Sequence, residues 1–77
     1  MDRNQFTKML LETQVKFLIA KGTHISNIDR EGQPVALYSL GKRFYEMTFN
    51  NYEGDEITHI DEISPENALQ HYFHNNV

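Results

Sequence analysis

The sequence contains no cysteine, and it carries no lysine or arginine after position 43. Without cysteine, neither a disulfide nor a thiolate metal site can brace the fold. The longest purely apolar run is four residues, 17–20, far too short to span a bilayer. The N-terminal stretch shows no apolar segment followed by a small-residue cleavage site, so a cytoplasmic location is the expectation. No internal repeat or low-complexity tract occurs, and aromatic residues are too frequent for a disordered chain. Also missing are a serine nucleophile motif, a glycine-rich phosphate loop and an HExxH metal motif. A chain of 77 residues reads as one domain with a limited core.

The missing cations divide the chain electrically. Residues 1–43 hold all seven Lys and Arg against four carboxylates, a net +3, whereas residues 44–77 hold seven carboxylates and no Lys or Arg, a net −7. Such asymmetry points to an acidic face for a basic partner, to head-to-tail self-association, or to internal pairing with a solvated acidic rim.

What is present centres on residues 35–49, VALYSLGKRFYEMTF. Two runs rich in β-branched and aromatic residues flank Gly41-Lys42, the mark of a hairpin with a two-residue type II′ turn. Counting outward pairs Leu40 with Arg43, Tyr38 with Tyr45, Ala36 with Met47 and Pro34 with Phe49 on a core face. Ser39–Phe44, Leu37–Glu46 and Val35–Thr48 fall on the other face, which reads as half-wet.

Apolar positions Phe6, Met9, Leu10, Thr13, Phe17 and Ala20 recur at helical spacing, predicting one helix over about 2–21. Asp2 and Gln5 have capping-box spacing, and Gly22 is placed for a left-handed C-cap. A second stripe, Leu11, Val15, Leu18 and Ile19, lies roughly opposite the first. Residues 23–30 and 56–63 read as strands whose isoleucines are three apart, so a bulge is expected. Ser64 as N-cap and Pro65 at the first helical position start a helix over about 65–74. Its apolar face is Ala68, Leu69, Tyr72 and Phe73. The predicted fold is α+β, an antiparallel meander of three or four strands (about 23–30, 34–40, 43–50 and 56–63). The N- and C-terminal helices are expected to pack on its Tyr38/Tyr45/Met47/Phe49 face.

The candidate chemistry is sparse. His71 and His74 share a helix face and, with His59 and Asp61, could approach a divalent metal, but the spacing is as well explained by surface histidines. Glu46, Asp61 and Glu62 could pair for acid–base work, or be solvated strand carboxylates. The acidic row Glu53, Asp55, Glu56, Asp61 and Glu62 could mimic nucleic-acid phosphates toward a nucleic-acid-binding protein. Direct nucleic-acid binding is disfavoured by the net charge of −4. The reading that fits best is a small non-enzymatic protein-binding or regulatory module without a cofactor. Its partner would be another protein or a second copy of the chain, met through Leu11, Val15, Leu18 and the loop tyrosine Tyr52.

Overall fold

Tight turns set the register of the sheet. In the computed structural model, which describes residues 3–51, 53 and 56–72, a four-stranded antiparallel meander runs β1 (Thr23–Arg30), β2 (Gln33–Leu40), β3 (Arg43–Phe49), β4 (Ile57–Ile63). Gly41 takes φ +65° and Lys42 stays at negative φ, the pattern of a type II′ turn. The expected pairs follow from it: Leu40–Arg43, Tyr38–Tyr45, Ala36–Met47, Leu37–Glu46 and Val35–Thr48. Between β1 and β2, Glu31 and Gly32 both sit at positive φ, the signature of a type I′ turn. Both strands with isoleucines three apart are irregular. The β1–β2 register shifts between His24 and Ser26, and the β3–β4 register shifts between Thr48 and Phe49. The second shift leaves Thr58 as an extra residue, so that Ile57 and Ile60 both face the core.

The helices before and after the sheet complete the α+β architecture: α1 (Arg3–Thr7), α2 (Leu11–Lys21) and α3 (Pro65–Tyr72). The expected single helix over 2–21 is therefore two helices. Residues 8–10 break it, and Leu10 is extended at φ −66°, ψ 153°. Leucine offers no side-chain cap to the start of α2. Instead the Gln14 side chain reaches back and donates to the Phe6 carbonyl at 3.0 Å. The break lets α1 fold onto the sheet, where the Phe6 ring meets Tyr45 at 4.8 Å and Phe17 at 6.1 Å between centroids. It also turns Leu10 outward, so this residue leaves the predicted core stripe and is 77% exposed. The Asp2 cap lies outside the described residues.

Gly22 ends α2 differently from the expectation. Its φ of −87° and ψ of 176° are extended rather than left-handed. Glycine is needed there for space: a Cβ would lie 2.7 Å from the Leu18 carbonyl oxygen and 3.0 Å from that of Ser39. The chain passes directly from α2 into β1 at this contact.

Helices α1 and α2 cover one face of the sheet, with Phe6, Leu18, Ala36, Tyr45 and Met47 at the centre. Helix α3 does not join them. Strand residues alternate sides, and the Tyr72 hydroxyl of α3 bonds to Glu46, the neighbour of Tyr45 and Met47. The C-terminal helix thus packs on the opposite face, contrary to the expectation that both helices share one. That face is correspondingly dry: Val35, Leu37, Glu46 and Thr48 are buried rather than half-wet. A meander whose central hairpin carries apolar residues on both sides needs cover on both, and Ala68 of α3 is buried in supplying it. Leu69, predicted for the apolar side of this helix, is exposed, and Phe73 lies outside the described residues.

Two outcomes are expected from this packing. Met47→Ala should lower unfolding free energy by about 2–5 kcal/mol in urea melts, the cost of emptying a fully buried site. Gly22→Ala should destabilise as well, since backbone oxygens surround the added methyl group. A melt unchanged by the glycine substitution would contradict the close approach of α2 to β2.

Candidate functional site

Four regions of the surface and interior carry the residues that could bind or react. The first is the helical surface. Along α2 each residue turns about 100°, and Leu18 points to the sheet with no exposed area. Val15 packs partly against the same core. Leu11 and Ile19 flank that direction on one shoulder, and both are exposed, Ile19 by 62%. No described element covers these two; Leu10, just before the helix, is exposed as well, but nine residues at 100° each set it on the side of the helix opposite Ile19. Of the predicted interface residues, Leu11 is thus on the surface, Val15 is half-buried and Leu18 is internal. Tyr52 lies outside the described residues. The sequence pattern placed Leu18 on the open stripe because two rows of aliphatic residues run around this helix. Only the tilt of α2 on the sheet decides which row is buried.

The second region is a polar cluster beneath α3. Arg30, at the end of β1, donates two hydrogen bonds to Glu46 in β3, Nη1 to Oε1 at 2.9 Å and Nη2 to Oε2 at 2.8 Å. The Tyr72 hydroxyl donates to the same Oε2 at 2.9 Å. Glu46 is 5% exposed and both its oxygens are engaged. Hydrogen bonding by the guanidinium holds the Glu46 carboxyl below the usual carboxylate range, against the upward push of burial. Tyr72 and the nearby His71 act in the same direction as Arg30. Burial, reinforced by the hydrogen bond to Glu46, raises the Tyr72 hydroxyl above its ordinary range, so it stays protonated as a donor. Arg30 and Tyr72 were missed by reading the sequence. One signal was available: Glu46 lies on a strand face shared with Val35, Leu37 and Phe44, and a lone carboxylate there needs a cation.

The third region is the β3–β4 side of the same face. The His59 ring nitrogen Nε2 lies 3.3 Å from the Asp61 carboxylate, so these two metal candidates do meet. His71 is on α3, and His74 lies outside the described residues. Among the described residues no group of three His, Asp or Glu side chains is placed to hold a metal ion. Of the three carboxylates considered for acid–base work, Glu46 and Asp61 stand directly opposite each other across β3 and β4, but Glu46 is committed to Arg30 and Tyr72 and Asp61 to His59, and Glu62 lies across from Tyr45 on the other face. Of the acidic row considered for mimicry, Asp55 lies outside the described residues and Glu56 accepts from the Asn50 amide at 3.4 Å.

The fourth is a groove of about 730 Å³ on the sheet, with Tyr38, Phe49 and Pro34 among its walls and His24, Asn27, Asp29 and Asn51 at its rim. Its polar side chains engage their own neighbours. His24 Nε2 contacts Asn27 Oδ1 at 2.9 Å, Asp29 accepts from the Gly32 amide at 3.4 Å, and Asn51 accepts from the Glu53 amide at 2.9 Å. The His24 ring also lies 5.2 Å from that of Tyr38.

No family model, curated protein or solved structure matches this chain. Among the described residues, no helix is long and apolar enough to cross a membrane.

The polar cluster sets a pH dependence. The folded-state pKa of Glu46 is depressed, so its stabilisation is present above the ordinary carboxylate value of 4.5 and is lost as pH falls through that value and below. Thermal melts should show stability falling on that acid limb, and Glu46→Gln should flatten it while lowering stability at neutral pH. Tyr72→Phe should cost about 1.5–3 kcal/mol, the range for a hydrogen bond to a charged group. An unchanged melt would place α3 elsewhere.

Proposed function

We propose that this chain is a non-enzymatic protein-binding module that docks through the shoulder of α2 that carries Leu11 and Ile19, with Val15 at its base. The observation that carries this reading is the exposure of these aliphatic side chains in a fold that buries apolar residues on both faces of its sheet. Single exposed aliphatics are ordinary; two on one helix shoulder with a half-buried third between them mark an interaction surface. From Leu11 to Ile19 the shoulder runs about 12 Å, at roughly 1.5 Å per residue. Glu12 and Lys16, both well exposed and 3.9 Å apart, border it. An apolar centre with a charged border is the anatomy of a protein interface.

A binding module suits the remaining sites better than an enzyme does. The groups with shifted pKa close on one another beneath α3, and a carboxylate with both oxygens engaged has none left for a substrate. The groove lies away from Glu46 and His59, and its polar rim is satisfied locally.

The test uses the immobilised protein and lysate of the cell it comes from. Wild type should retain a partner that Ile19→Ser releases and that Leu10→Ser, on the opposite side of the helix, still holds, while both variants keep the wild-type melting temperature because these side chains are largely in water. Equal retention by all three proteins would move the interface off this shoulder.

A further inference from the structure

We infer that α3 is a latch: it leaves the sheet and unravels as a unit while the sheet and the α1–α2 layer stay folded. The sheet separates two layers of unequal depth. The main cluster of buried apolar residues, Phe6, Leu18, Ala36, Tyr45 and Met47, lies entirely on the α1–α2 side. Helix α3 contributes no described residue to it. On α3 itself Ala68 is buried and Tyr72 is half-buried, and the other six residues of the helix are exposed. Segments with few buried apolar contacts are the ones that open below the free energy of global unfolding.

The rest of the fold does not depend on this helix for its connections. Every strand pair of the meander forms without it. It follows β4 after one residue, Ser64, whose hydroxyl accepts from the Asn67 amide at 3.1 Å. Its departure therefore pulls no strand out of register. An eight-residue helix is too short to persist in water without a surface to lie on, so release and unravelling are one event. The polar cluster tolerates that event. Tyr72 supplies one hydrogen bond to Glu46, while Arg30 supplies two and stays in place on β1. Water reaches the freed oxygen once the helix has gone, so the carboxylate is never left dry and unpaired. The α1–α2 layer has no such freedom: Leu18 has no exposed area, and Phe6 packs on Tyr45 at 4.8 Å between ring centroids. Opening of α3 wets Val35, Leu37 and Thr48, a small part of the surface that global unfolding exposes.

Hydrogen exchange of the intact protein, followed amide by amide by NMR in rising sub-denaturing urea, reads the opening. The Ala68 amide, which donates to the Ser64 carbonyl at 3.0 Å, and the α3 amides after it are the probes. They should exchange about tenfold or more faster than the paired amides of β2 and β3, relative to their unprotected rates. Their urea dependence should lie above zero and well below that of the strand amides, because the slope follows the surface exposed. Tyr72→Phe should speed exchange of the α3 amides by about tenfold or more, through loss of a hydrogen bond to a charged group, and leave that urea dependence unchanged. Equal protection and equal urea dependence in α3 and β3 would overturn the inference, because the helix would then leave only when the whole fold does. Exchange of α3 that ignores urea would overturn it as well, since the helix would be fraying in place. Ala68→Asp gives a second reading, as it sets a carboxylate against the sheet. It should abolish protection in α3 and keep it in β2 and β3; loss of protection throughout would contradict a separate latch.

Discussion

A carboxylate can be held beneath a helix only where its charge is met, and Arg30 and Tyr72 meet that of Glu46. The consequences run through the fold. Arg30 comes from the edge strand β1, Glu46 from the internal strand β3 and Tyr72 from the last turn of α3. The three side chains therefore tie the C-terminal helix to two non-adjacent strands on the sheet face away from α1 and α2. Among the described residues every buried side-chain nitrogen or oxygen has a hydrogen-bond partner. That satisfaction is what makes a polar group tolerable next to Val35 and Leu37. Breaking one arm of the cluster leaves the carboxylate short of a partner, so its contribution is that of a locked element rather than of one surface ion pair.

The sheet is a layer buried on both sides by helices that come from opposite ends of the chain. The α1–α2 unit covers the Tyr45 and Met47 side, where aromatic contacts from Phe6 fill the centre. Helix α3 is short and covers the other side with Ala68 and Tyr72. This division explains why part of α2 remains uncovered. If α3 lay alongside α2, it could have shielded Ile19 and Leu11. Because α3 is committed to the Glu46 face, no described element covers the shoulder of α2 that carries Leu11 and Ile19.

Much of this was legible in the residues, and the limits have physical causes. The β2–β3 hairpin could be read from Leu40–Arg43 out to Val35–Thr48 because Gly41 fixes the turn and a period of two then fixes those pairs, whereas the expected Pro34–Phe49 pair is not among them. The irregular strands could be anticipated from isoleucines three apart, although which residue becomes the extra one depends on how Ile57 and Ile60 reach the core together. The helix break at residues 8–10 could not be read, because an unbroken apolar period continues through Met9 and Leu10. Only packing of Phe6 on Tyr45 favours the bend. The position of α3 was misjudged because Leu37, Glu46 and Thr48 look half-polar in sequence. Arg30 lies sixteen residues from Glu46, and nothing local announces that they pair. Of the second helical stripe, Leu11 and Ile19 are exposed, Val15 is half-buried and Leu18 is internal, because the rotation of α2 on the sheet is set by packing and not by spacing.

The central structural claim is that Glu46 and Tyr72 act together to seat α3 on the second face of the sheet. A double-mutant cycle with Glu46→Gln, Tyr72→Phe and both substitutions, measured by urea unfolding at neutral pH, tests it most directly. Direct contact predicts a coupling of about 0.5–3 kcal/mol, so that the double variant loses less stability than the two single losses combined. Strict additivity would contradict it, placing the C-terminal helix out of reach of Glu46 and leaving the far face of the sheet without its cover.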